Sequence, residues 1–412
     1  MKKRVVAIGA VCAAAALTLS ACGGSDSKSE TPKSIKLVAA EYSASTKGFW
    51  DQFAAKYKEK TGTKLDVQVV SWNDIDQVSS TMLQNNNAPD ILNLNVYASY
   101  AKDDLLYDSD QVLSSSVKSD LLPNFVKSGT YNGKMYGMPD LSSARALFYN
   151  KTLFKKAGIA APPTTWADFE ADAKKISALG GGTAGYAMPL GPEESQAEFS
   201  IWMFNNGGDW KTDGKWTIDS AKNVETLNFL KKLAVDDKVT QNNPGKTNRT
   251  DGAFAQFQSG KAGMVVGFSP LQATLDKDKS VDYGIAPMPT ANGGAPQSYG
   301  VTDYLMAFKK SGNQKAVKAF YDLYYQPDQV NKFIKQEGFL PVTASGLKEF
   351  ASDTSLKVYL DGLSNTHLTP TDDPTWDKVK LAVQQSLGKA VQPDGDPKAV
   401  LSDLQKQAEA AK

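Results

Sequence analysis

The chain has 412 residues, with 46 basic and 45 acidic side chains, two cysteines and a single histidine. Such a balanced charge argues against nucleic acid or an anionic membrane surface as the partner, since both need clustered positive charge. One imidazole, His367, excludes zinc sites built from several His and Cys ligands. No nucleophile-elbow pattern accompanies it, and it reads as a surface loop residue; no metal and no cofactor are expected.

In chain order, Lys2, Lys3 and Arg4 precede an apolar run over 5–19. The run is too short to span a bilayer but has the basic, apolar, small layout of a secretory signal. It ends in Leu19-Ser20-Ala21-Cys22, which resembles the lipobox of bacterial lipoproteins. The resemblance implies that residues 1–21 are removed and that the Cys22 thiol takes a diacylglyceryl group. Each buried methylene of its two chains contributes roughly 0.8 kcal/mol to anchoring. Cys12 leaves with the signal, so no intrachain disulfide is expected. Without Lys2, Lys3 and Arg4 there remain 43 basic against 45 acidic residues. Residues 22–34 begin with a Gly/Ser-rich stretch free of large apolar side chains, a solvated leash. No later segment approaches the length of a membrane span. The expected location is the extracytoplasmic face of the cell membrane, lipid-anchored as in Gram-positive lipoproteins.

About 380 residues follow the leash, more than one core usually supports, which predicts two lobes. Residues 34–40 read as a strand, and Phe49, Trp50, Phe53 and Tyr57 mark one face of a helix that Gly62 ends. Residues 65–70 alternate as a second strand, and a helix through Val78 and Met82 leads to a strand near Leu92. Thr165 caps a predicted helix running to about Leu179, which the three glycines 180–182 break. A strand over 304–308 and a helix over 310–325 follow, then a helix over 379–387. Alternating strands and helices predict α/β sheets covered by helices.

Several segments then look familiar: Tyr131 to Pro139 leading into Leu147-Phe148-Tyr149-Asn150-Lys151, then Thr165-Trp166 and Phe257 to Met264. Ala286-Pro287-Met288-Pro289 and Gly338-Phe339-Leu340-Pro341-Val342 complete the series. Their order and spacing, from about residue 35 to the end, resemble extracellular solute-binding proteins that feed carbohydrate ABC transporters, the maltose-binding-protein-like group. The resemblance implies an α/β, two-lobed periplasmic-binding-protein-like fold with three chain crossings between lobes. On that reading residues 35–142 and 302–325 form one lobe, and 143–301 and 326–412 the other. Closure on a ligand would follow from its contacts to both lobes.

The implied function is capture of a carbohydrate, an oligosaccharide in this reading, by a monomer that delivers it to ABC permease subunits; it is not catalysis. Sugar sites need flat rings for the apolar pyranose face and polar groups for its hydroxyls. Trp376 matches a family position where a tryptophan stacks on sugar. Tyr304 and Asp303 replace a Trp and a Gly of the family pattern, and Phe268 takes a third aromatic place. Polar candidates are Asp140, Ser142, Ser143 and Arg145 on the first crossing, Glu193 and Glu194 on a loop, and Glu41 and Tyr42 at the end of the first strand. Trp72 and Tyr97 are expected at the cleft rim, whereas Trp50, Trp166 and Trp202 read as core. Two alternatives stand beside this reading. The same fold could hold a polyamine, a peptide or a glycerophosphodiester, and an exported glycosidase would need two carboxylates about 5–10 Å apart.

Overall fold

A computed structural model describes residues 32–361, 363 and 366–411; the expected signal, lipobox and nearly all of the leash lie outside these residues. Two sheets organise the chain. In the first, strand Ser34–Glu41 pairs in parallel with Lys64–Ser71 and with Ile91–Leu94. The long strand Tyr299–Ala307 runs antiparallel to Ile91–Leu94 and to Met138–Ala144. The second sheet has the order Tyr283–Ala286, Ala146–Asn150, Ala262–Gly267, Ala184–Ala187.

Helix Thr46–Thr61 shows why the first lobe holds together. Its buried residues Phe49, Trp50, Phe53 and Tyr57 fall on one side of a 3.6-residue repeat. Trp50 stacks on Tyr324 at 5.5 Å and meets Phe333 at 5.2 Å, and the Tyr57 hydroxyl donates to the Ala316 carbonyl. Gly62 closes the helix at φ 74°, a left-handed cap available to glycine at little cost. In the second lobe Thr165 caps helix Trp166–Ser177 by accepting from the Asp168 amide, and Trp166 and Trp202 are buried.

The chain passes between the sheets three times. Arg145 alone separates Met138–Ala144 of the first sheet from Ala146–Asn150 of the second. The return runs from Tyr283–Ala286 to Tyr299–Ala307. The third passage comes later than the sequence suggests. Helix Pro327–Glu337 packs on Thr46–Thr61 and Gln314–Tyr324, which places it with the first lobe rather than the second. The later segments Trp376–Ser386, Leu387–Val391 and Pro397–Ala410 pack against second-lobe helices. His367 also departs from the loop expectation. It begins a two-residue strand beside Tyr299, and its ring stacks on Phe204 at 4.1 Å.

Strand register decides which side chains reach the space between the lobes. Successive residues of a strand point to opposite faces. Leu141, Ser143 and Arg145 therefore share one face, and Val301 and Asp303, paired with Ser143 and Leu141, lie on that face too; all five line one cavity. Asp140 and Ser142 point the other way. Between the two strands Asp303 faces Leu141 and Tyr304 faces Pro139, so Asp140 is the extra residue of a β-bulge.

Candidate functional site

The cavity has a volume of about 360 Å³ and takes its walls from both lobes. Tyr42, Trp72, Asp76, Asn95, Asp303 and Phe339 come from the first, and Arg145, Glu193, Glu194, Arg249, Phe268 and Lys380 from the second. Rings supply much of the apolar surface. Tyr42 meets Trp72 edge-on at 5.7 Å and Phe339 at 5.0 Å, while Phe254 and Phe268 face them from the other lobe.

Both arginines that follow Arg4 in the sequence meet here. Arg145 Nη2 lies 2.7 Å from Glu194 Oε1, and its guanidinium sits 4.2 Å from the Phe268 ring centre. Arg249 donates to Glu194 Oε2 and, at 3.1 Å, to Glu193 Oε1, and lies 4.9 Å from the same ring. The Glu193 carboxylate also accepts from the Thr250 amide at 2.9 Å. These two loops touch because residue 191 is glycine. A Cβ there would lie 2.7 Å from the Thr247 backbone. Burial pushes the Glu193 carboxyl up, but Arg249 and the Thr250 donors outweigh it and hold the group below its usual range.

Lys380 crosses the cleft. It lies one turn beyond Trp376 on helix Trp376–Ser386, is 5% exposed, and reaches Asp76 Oδ2 at 3.2 Å and Asn95 Oδ1 at 3.1 Å. Each cation of the wall is thus already paired with a carboxylate. Among the carboxyls of the wall, Asp303 is the one with no ion-pair partner among the described residues. Its Oδ2 is hydrogen-bonded to the Tyr42 hydroxyl at 2.8 Å, and burial pushes the group up to about 7. Behind it Asp140 accepts from Tyr324 and from Asn93, and burial raises it to about 8.

The structure brings Tyr42, Arg145, Glu193, Glu194, Phe268 and Asp303 together on the wall, with Trp72 at its edge. Six other candidates lie elsewhere. Tyr97, expected at the cleft rim, is fully buried, with its hydroxyl on the Ser128 carbonyl. Glu41 is exposed at the strand end. Asp140 and Ser142 face away from the cavity, and the Ser142 hydroxyl donates to the Leu340 carbonyl. Tyr304 is fully buried, edge-on to Tyr97 at 5.1 Å, with its hydroxyl on Ser128 and Thr371. Trp376 is 2% exposed and packs on Trp210 at 5.5 Å and Trp216 at 6.2 Å, inside the second lobe rather than on its surface. Ser143, also a candidate on the first crossing, lines the wall, whereas Arg249, Lys380, Asp76, Asn95 and Phe339 are wall residues that the sequence reading missed. Strand alternation from Arg145 points to Ser143. For Arg249 only the fold supplies the signal.

Two α/β lobes joined by three passages, around a cavity walled by rings and paired charges, define a two-lobed solute-binding protein. The family of bacterial extracellular solute-binding proteins matches residues 43–331, and the chain belongs to it. A binding protein of Brucella abortus (strain 2308) is 29% identical over 385 residues, covering 91% of this chain and 92% of its own. The sn-glycerol-3-phosphate-binding periplasmic protein of the same organism is 30% identical over 243 residues, 56% of this chain and 55% of its own. Among solved structures, a sugar transporter from Arthrobacter chlorophenolicus A6 with bound laminaribiose superposes with a TM-score of 0.81 at 21% identity, covering 92% of this chain and 99% of that one. Maltose-bound MalE3 of T. maritima gives 0.80 at 21% identity, with the same coverage. The family places the protein outside the cytoplasm, and its members are binding proteins.

Proposed function

We propose that the cavity captures an uncharged carbohydrate and that the chain, a monomer tethered through Cys22, hands it to the permease of an ABC importer. The carrying observation is the charge balance of the wall: Arg145, Arg249 and Lys380 are each matched by Glu194, Glu193 or Asp76. An anionic ligand would have to break one of these pairs, whereas hydroxyls can bond to their remaining lone pairs and N–H groups. Rings from both lobes suit the apolar faces of a sugar. The laminaribiose- and maltose-bound neighbours support the same class of ligand.

A second reading, a phosphorylated glycerol, draws on the glycerol-3-phosphate-binding relative. Thermal melting with laminaribiose, maltose and sn-glycerol-3-phosphate separates the two. A ligand at 100 times its dissociation constant adds about 2.7 kcal/mol of apparent stability. The expected result is stabilisation by a sugar and none by the phosphate ester; the reverse order overturns the carbohydrate reading. No cleavage of oligosaccharides is expected, because Glu193 and Glu194 are pinned by Arg249 and Arg145 on one loop. For the anchor, Cys22→Ala is expected to release the protein into the medium or leave it unprocessed. Persistence on the membrane after signal cleavage would sink the lipoprotein reading.

A further inference from the structure

The carboxyl without a cation partner carries a consequence for binding. Asn93 Oδ1 accepts from the Ala40 amide at 3.1 Å, which fixes the amide orientation and turns Nδ2 toward Asp140 Oδ2 at 3.1 Å and the Tyr304 carbonyl at 3.3 Å. The Tyr42 hydroxyl then lies 3.1 Å from Asn93 Oδ1 and 2.8 Å from Asp303 Oδ2. An ionised Asp303 makes both of these acceptors, and a phenol has one proton to give. A proton on Asp303 Oδ2 satisfies the whole chain, with Asp303 donating to Tyr42 and Tyr42 to Asn93.

The other oxygen points to the same state. Asp303 is 5% exposed, and its Oδ1 has no hydrogen-bond partner among the described residues. Leaving an ionised carboxylate oxygen buried without a donor is costly. Lys380 and Arg249 favour the charged form, but the charged groups around it do not outweigh burial. Glu194 repels, Asp140 sits behind Asn93, and Arg145, Arg249 and Lys380 are engaged by Glu194, Glu193 and Asp76.

We propose that Asp303 is a proton-switched ligand group, protonated in the ligand-free cavity and ionised when a ligand hydroxyl donates to its Oδ1, so that binding tightens with rising pH. This rests on the reading of the ligand as hydroxyl-bearing. The hydroxyl supplies the missing donor, and the contact becomes a charge-assisted hydrogen bond. The proton leaves Asp303 for the solvent buffer, and Tyr42 turns its own proton from Asn93 to Asp303. No covalent bond is made or broken in the ligand. A buried carboxyl pushed to about 7 has this exchange within reach at physiological pH.

Two measurements test it. In ligand-free protein labelled at the aspartate carboxyl carbons, NMR titration is expected to show a resonance titrating near neutrality that Asp303→Asn removes. If every resonance lost in that variant titrates in the ordinary range near 4, the proposal is wrong. Calorimetry with laminaribiose and maltose, in buffers of different ionisation enthalpy, is expected to show release of up to one proton on binding. Affinity should rise by about tenfold from pH 6 to pH 8, the change set by one linked proton on a group that titrates at about 7 when ligand is absent. Asp303→Asn is expected to bind more weakly and to lose most of this slope. A flat profile, or a slope retained in the variant, overturns the switch. Failure of every sugar to bind would instead refute the carbohydrate reading, and the titration would still decide the state of Asp303.

Discussion

Trp376→Ala is expected to lower the stability of the unliganded protein by about 3–5 kcal/mol, the range for truncating a large buried aromatic side chain. The indole is 2% exposed and wedged between Trp210 and Trp216, so its removal opens a void among rings that belong to one lobe. Affinity should fall less than tenfold, since the ring is not on the cavity wall. Some loss is expected, because the same helix carries Lys380 to Asp76 and places Gln384 at the cavity. Trp376→Phe should recover much of the stability by refilling part of the volume. Denaturant melts of the three proteins, with calorimetric titration of a bound sugar, check this. An unchanged melt together with a large affinity loss would put the ring on the ligand.

The same residue shows where sequence reasoning stops. A tryptophan after a polar Asp-Asp-Pro loop and at a helix start looks like a projecting ring. What buries it is Trp210 and Trp216, far earlier in the chain, and no local pattern reports that meeting. Alternation of strand and helix was legible because it depends on periodicity and caps, and helix Thr46–Thr61 and the Thr165 cap follow it closely. The last passage between lobes was not. Pro327 reads as a break after Tyr325, yet proline is tolerated at a helix start, and Phe333 continues the aromatic packing on Trp50.

Site residues divide along the same line. Asp303 sits on a strand and Arg145 directly follows one, so parity decides the face; Ser142 and Tyr304 are one position off and point away. Asp140 falls at a bulge, which sequence patterning does not reveal. Glu193 and Glu194 were legible as two adjacent carboxylates on a loop, without their partners. Their partners Arg145 and Arg249 come from distant segments, and that pairing makes them a fixed part of the wall.

Glu194→Gln is expected to destabilise the protein by about 3–5 kcal/mol, more than any change at a surface pair. Glu194 holds two guanidinium groups, but they do not depend on it equally. Arg249 keeps Glu193 when Glu194 is neutralised. Arg145, with a side chain 4% exposed, has Glu194 as its ion-pair partner and is left as a buried charge against Phe268. The cost therefore lies in the orphaned cation, not in the lost attraction, which a double-mutant cycle can separate. Arg145→Met in the Glu194→Gln background should restore part of the stability, because an apolar side chain of similar length suits the Phe268 face and no unpaired charge remains. It should not restore sugar affinity, since the wall then lacks both charged groups. Chemical denaturation of the two single variants and the double variant gives the coupling. A double variant less stable than Glu194→Gln alone would show that Arg145 is held by contacts other than this carboxylate.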